Sequence, residues 1–232
     1  MIINILTLFP DVFKPLLESS ILVKAQKEGG LKVKLIDLRK FGIGTHKQVD
    51  GRPYGGGVGM ILRVDVIAKA LHEATKESKE AKVILLTPQG KTFNQRIAQG
   101  LARTKQLVLL CGHYEGVDER VKNLVDGEIS IGDYVLSGGE VAAMVILDTV
   151  ARLLPGVLDK QATQKESFST YTLNAKPYTL LEPPQYTRPE EFRGTEVPKV
   201  LLSGNHQKIK EWRLKEALKK TKKRRPDLLK ED

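Results

Sequence analysis

Three glycine-bearing loops hold the residues best suited to chemistry in this 232-residue chain. Arg52-Pro-Tyr-Gly-Gly-Gly-Val-Gly59 places four Gly in five positions. Cys111-Gly-His-Tyr-Glu-Gly-Val-Asp-Glu-Arg120 gathers three acids, a Tyr, a His and an Arg around two Gly. Ile131-Gly-Asp-Tyr-Val-Leu-Ser-Gly-Gly-Glu140 is a third glycine-rich return. Glycine lets backbone approach a ligand or a phosphate closely. The plain alternatives are a flexible hairpin tip for the first loop, a solvated helix start for Asp118 and Glu119, and a left-handed turn for Gly138-Gly139.

Familiar nucleotide signatures fail. Lys47 stands where a dinucleotide fingerprint beginning at Gly42 needs its third Gly, and Leu85 where a P-loop ending at Gly90-Lys91-Thr92 needs its first. The four His (His46, His72, His113, His206) show no metal-ligand pairing, and no Ser nucleophile elbow is present. The single Cys, Cys111, excludes an intrachain disulfide or a thiolate zinc site and suits a reducing compartment, most simply the cytoplasm.

The elements that must position these loops alternate. Met1 to Phe9, Leu31 to Leu38, Ala81 to Thr87 and Leu107 to Cys111 read as strands, and Ser130 to Leu136 as extended. Asp11 to Gln26 (with Asp11 as cap), Val64 to Glu77, Asn94 to Arg103, Val117 to Leu124 and Gly138 to Leu154 read as helices. This predicts an α/β domain over 1–158 with a mostly parallel sheet, where ligands bind beyond the carboxyl ends of strands. Residues 159–185 read as an interdomain linker without sustained periodicity. Residues 186–232 read as a small helical domain, in which Trp212, Leu214 and Leu218 pack.

With 41% hydrophobic residues the chain can bury a core. No stretch suits a transmembrane span or a signal peptide. The net charge is +10, and His206 to Arg225 holds seven Lys and three Arg against two Glu. This basic balance points to a polyanionic partner such as nucleic acid, or to an anionic membrane surface.

Taken together and in order, the loops resemble the bacterial tRNA (guanine-N1) methyltransferases of the TrmD type, within the SPOUT superfamily. Val49 to Met60, Thr87 to Gly90, Cys111 to Arg120, Ile129 to Glu140, Arg152 to Leu158, Tyr186 to Pro189 and Leu201 to His206 carry the match. The resemblance implies a deep trefoil knot and a homodimer with its active site shared across the subunit interface. It also implies transfer of a methyl group from S-adenosylmethionine to N1 of guanine 37 of tRNA. Cofactor contacts map to Leu86, Thr87, Pro88, Gln89 and Gly90, to Gly112, Tyr114, Glu115 and Gly116, and to Ile131, Gly132, Tyr134, Leu136, Gly138 and Gly139.

By the same resemblance Glu166 takes the place of the family's Asp base, Arg152 that of the arginine facing O6, and Glu182 that of a supporting Asp. The spacer Ser169 to Thr179 is about eight residues longer than usual. RNA contacts map to Asp50, Arg188, Asn205 and His206, with Lys208 and Arg213 on the basic helix. No metal ligands are assigned, and magnesium enters either through catalysis or through tRNA folding. The rival readings are a SPOUT enzyme for another RNA base and a non-catalytic RNA-binding protein.

Overall fold

The computed structural model describes residues 1–229 except 79, 160–162, 164 and 174–175. The chain divides into two compact units, Met1–Leu158 and Asp159–Asp232.

The first unit is α/β. Its strands are β1 (Ile2–Thr7), β2 (Lys32–Asp37), β3 (Asp50–Gly51), β4 (Ile61–Leu62), β5 (Lys82–Thr92), β6 (Gln106–Cys111) and β7 (Gly127–Ser130). Five of them form one parallel sheet in the order β2-β1-β6-β5-β7. Its helices are α1 (Lys14–Leu17), α2 (Ser20–Lys27), α3 (Val64–Thr75), α4 (Gln95–Leu101) and α5 (Glu140–Ala151).

Strand alternation sorts the core into two layers. Ile3, Ile5, Leu107 and Leu109 pack with Ile146, Leu147 and Val150 of α5. Leu6, Val108, Leu110 and Leu85 pack with Val66, Ile67 and Ala70 of α3. Because both faces are covered, these strands read as continuous apolar runs, as expected of a parallel sheet.

Several element boundaries differ from expectation. Asp11 to Gln26 is not one helix. A 3-10 turn (Pro10–Phe13) opens it, capped at Phe9 rather than Asp11, and Ser19 turns extended before α2 begins. Pro15, which lacks an N–H, is confined to the first turn of α1. The extended segment expected at Ser130 to Leu136 lies earlier, as β7, and Gly132 at φ 145 turns the chain away. Helix α5 starts at Glu140, not Gly138, and ends at Ala151. Val117 to Leu124 contains a 3-10 helix over Glu119–Leu124, capped by the Asp118 carboxylate, which accepts from the Arg120 N–H.

The second unit holds β8 (Ser169–Leu173) and β9 (Lys176–Leu180), paired antiparallel with Tyr171 opposite Tyr178. A regular hairpin thus occupies a segment that showed no sustained periodicity. Next come β10 (Glu191–Phe192), β11 (Thr195–Glu196), α6 (Lys199–Leu202) and α7 (His206–Arg224). Leu218 of α7 is exposed, contrary to expectation. The buried face is instead Ala217 and Thr221, one turn apart, where small side chains let the backbone approach its neighbour closely.

Candidate functional site

Strands β6, β5 and β7 are adjacent, so their carboxyl-end loops must meet. Between Leu86 and Lys91, strand β5 slips its register on β7, and both residues pair with Ile129. The four residues between them, Thr87 to Gly90, loop out. A Cβ on Gly90 would lie 2.4 Å from the Ile129 N, so only glycine passes here. At β6, the Gly139 N–H donates to the Gly112 carbonyl at 2.8 Å, and His113 bridges to Gly138.

These three loops enclose a cavity of about 260 Å3. From the first loop it takes Leu86, Thr87 and Pro88, and from the second Gly112, Tyr114, Glu115 and Gly116. Ile131, Gly132, Tyr134, Leu136, Gly138 and Gly139 complete it. Two expected residues lie elsewhere. Gln89 accepts a hydrogen bond from Lys122 Nζ, and Gly90 sits in the strand crossing. The walls are mainly apolar with backbone N–H and C=O edges, which suits a small ligand held by a few polar anchors.

One anchor was missed from sequence. His113 lines the cavity, and its Nδ1 is buried without a hydrogen-bond partner. The nearest carboxylate oxygen, Glu140 Oε2, is 4.0 Å away. Gly138 lies against both, since a Cβ there would meet each within 2.5 Å. Glu140 itself is 8% exposed, and its other oxygen accepts from the Thr7 hydroxyl at 2.7 Å. Thr7, fully buried at the end of β1, also accepts from the Phe9 N–H. The end of β1 is thereby tied to the start of α5 beneath the cavity. Burial, then the Glu140 charge, raises the Cys111 thiol pKa well above its ordinary value. Thr7→Val should lower the unfolding free energy by about 1–3 kcal/mol, because a buried carboxylate loses its donor. An unchanged urea midpoint would contradict this.

The glycine-rich segment 52–60 is the turn of the β3–β4 hairpin, and Tyr54 and Val58 stand almost fully exposed on it. The plain reading, a hairpin tip, fits this placement, and the hairpin is anchored to the cavity loop. The Glu115 N–H donates to the Met60 carbonyl, and the Leu62 N–H to the Gly116 carbonyl, each at 3.0 Å. Gly59 packs against Glu115, with room for no Cβ. Tyr114, at φ 59, has its phenol pKa raised by burial and by the negative charge of Asp50. The charge of Asp50 is therefore felt at the cavity wall.

Arg152 follows α5 as its half-buried C-cap residue. In the second unit the hairpin brings together two acids sixteen positions apart in sequence. The Phe168 N–H donates to the Leu180 carbonyl at 2.8 Å, and the Glu182 N–H donates to the Ser167 hydroxyl at 3.2 Å. Glu166 thus lies one residue from the contact that fixes Glu182. Tyr171 nearby has its pKa raised by burial and by the Glu182 charge.

The expected RNA residues Arg188, His206, Lys208 and Arg213 are exposed. Asn205 serves its own helix, because its side chain caps α7 by accepting from the Lys208 N–H. Among the described residues, no three His, Cys, Asp or Glu are grouped to hold a metal. Nor is any described helix long and apolar enough to cross a membrane.

Comparison with known proteins matches residues 1–231 to the family described as tRNA (Guanine-1)-methyltransferase TrmD. A tRNA (guanine-N(1)-)-methyltransferase of Geobacillus kaustophilus is 54% identical over 231 residues, covering 99% of this chain and 91% of the relative. Relatives with the same name from Dictyoglomus turgidum and Carboxydothermus hydrogenoformans are 52% and 54% identical. These matches cover 98% of this chain in each case, and 89% and 87% of the relatives.

Proposed function

The chain belongs to the TrmD family of tRNA (guanine-1)-methyltransferases, and from that premise we propose that it methylates N1 of guanine 37 in tRNA with S-adenosylmethionine as donor. The observation that carries the proposal is the cavity at the ends of β5, β6 and β7. It is lined by the glycine loops to which the resemblance maps the cofactor.

The cavity's residues fit that cofactor. Leu86, Ile131 and Leu136 offer apolar walls for an adenine ring. The unpartnered His113 Nδ1 and the Glu115 carboxylate offer polar contacts for a ribose or an ammonium group. When bound, the cofactor supplies an electrophilic methyl group on sulfonium sulfur. We take the glycine crossings at Gly90 and Gly139 as support for the family's trefoil knot.

Guanine N1 carries a proton at neutral pH and is a poor nucleophile until it is lost. Glu166 takes that proton, which requires hydrogen-bond reach of N1. Arg152 faces O6, where negative charge collects as the proton leaves. Glu182 supports the Glu166 segment. Tyr114 belongs to the cofactor cavity and Asp50 contacts the RNA. The protein works as a homodimer, with the active site completed at the subunit interface. Magnesium is assigned no residue.

Phosphate contacts come from α7, with Lys208, Arg213 and their neighbours positioning rather than specifying. If about four phosphates are engaged, affinity should fall about 100-fold between about 50 mM and about 200 mM salt. A flat plot of log Kd against log salt would overturn phosphate-driven binding. The reaction itself is tested by labelled methyl transfer to tRNA bearing guanine or adenine at position 37. Only the guanine form should accept label.

A further inference from the structure

The hairpin β8–β9 does not end in solvent. Leu180, its last residue, is fully buried. At the next residue, the Leu181 N–H donates to the Thr221 hydroxyl at 2.9 Å. That hydroxyl in turn donates to the Ala217 carbonyl at 2.8 Å, one turn back in α7. Thr221 has no accessible surface, so both bonds are shielded from water. One residue further, Lys220 Nζ donates to the Glu182 carbonyl at 3.0 Å. Two successive backbone groups of the strand exit are thus held by two successive side chains of α7.

The segment so held is the one that carries Glu182, and Glu182 is fixed to the Glu166 loop through the Ser167 hydroxyl. Arg225, just past α7, adds a third tie by stacking over the Phe168 ring at 5.8 Å. Phe168, at φ 69, adopts the left-handed backbone uncommon for a bulky side chain. Surrounding structure must therefore over-determine this corner.

We infer that Thr221, with Lys220, is a positioning residue: the last turns of the basic helix set the place of the Glu182 carboxylate. The helix proposed to meet RNA phosphates would thereby also hold that carboxylate in place. This inference rests on the proposed roles of Glu166 and Glu182. Thr221 reaches neither substrate nor cofactor; its effect passes through backbone.

Thr221→Val keeps the shape and removes the hydroxyl, leaving the Leu181 N–H without its acceptor. Losing one buried bond, and misplacing a catalytic group by a fraction of an ångström, should slow single-turnover methyl transfer about tenfold. The Kd for tRNA should stay within about twofold, because no phosphate contact is removed. Thr221→Ser restores the hydroxyl and should restore the rate.

A purely structural role is separated by a double-mutant cycle with Glu182→Ala. If Thr221 acts through Glu182, the valine substitution slows wild-type enzyme about tenfold but adds little in the Glu182→Ala background. The loss in thermal midpoint would be equal in both backgrounds. A full tenfold slowing in both backgrounds, or wild-type turnover in Thr221→Val beside an impaired Glu182→Ala, overturns the inference. Wild-type turnover in Glu182→Ala itself would instead show that the proposed role of Glu182 is wrong.

Discussion

Replacing Glu166 by Ala should slow single-turnover methyl transfer by roughly 10²- to 10⁴-fold while leaving tRNA and cofactor binding nearly intact. The size follows from the chemistry. Nitrogen N1 must lose its proton as it takes the methyl group, and no other residue is assigned to accept it. The residual rate should climb with pH, because solvent then removes a growing share of the proton. Glu166→Asp should be intermediate. It restores a carboxylate, but one methylene shorter on a loop fixed by the Phe168–Leu180 and Ser167–Glu182 bonds. Wild-type single-turnover rates in Glu166→Ala would remove Glu166 from the reaction.

Gly139→Ala should have the second large effect, and on binding rather than on the proton. Its φ of −77 is ordinary, so the cost is steric alone. An added Cβ would lie 2.7 Å from the Cys111 Cα and 3.0 Å from the Gly112 N, both backbone atoms that cannot swing aside. The start of α5 must then back away from the end of β6, losing the Gly139–Gly112 bond and widening the cavity. Overpacking of this kind costs about 1–3 kcal/mol, or roughly 5- to 150-fold in cofactor affinity. Gly100→Ala is the control. Nothing lies within 4 Å of its Cβ, and it sits inside α4, so Ala should bind cofactor normally and gain slight stability. Calorimetric titration of both variants separates the outcomes, and equal affinities would contradict the tight crossing.

The parallel sheet was legible because both of its faces are covered. Runs such as Leu107 to Cys111 had no reason to alternate and stood out as buried strands. The cavity loops were legible as glycine clusters at strand ends, although their meeting depends on the strand order β6-β5-β7, which periodicity does not reveal.

Three features were not legible. The broken start of α2 turns on Ser19 adopting extended backbone, a local choice made by packing. The hairpin over 169–180 was hidden because Tyr171 and Tyr178 pair across strands, and such pairing leaves no period within a single short strand. His113, Glu140 and Thr7 lie far apart in sequence, and only the fold shows a buried carboxylate between an orphaned imidazole nitrogen and a hydroxyl. In the basic helix, total charge was readable, but its buried side was not. Ala217 and Thr221 look ordinary beside Leu218 until the strand exit at Leu181 is seen to need them.

The proposed reaction places a methyl group on N1 of guanine 37. The most direct measurement is nuclease digestion and mass-spectrometric mapping of tRNA after incubation with the protein and S-adenosylmethionine. One added methyl group is expected, on N1 of guanine 37, and none when adenine occupies that position. Methylation at another base or atom, or no methyl transfer by protein that binds both cofactor and tRNA, would contradict it.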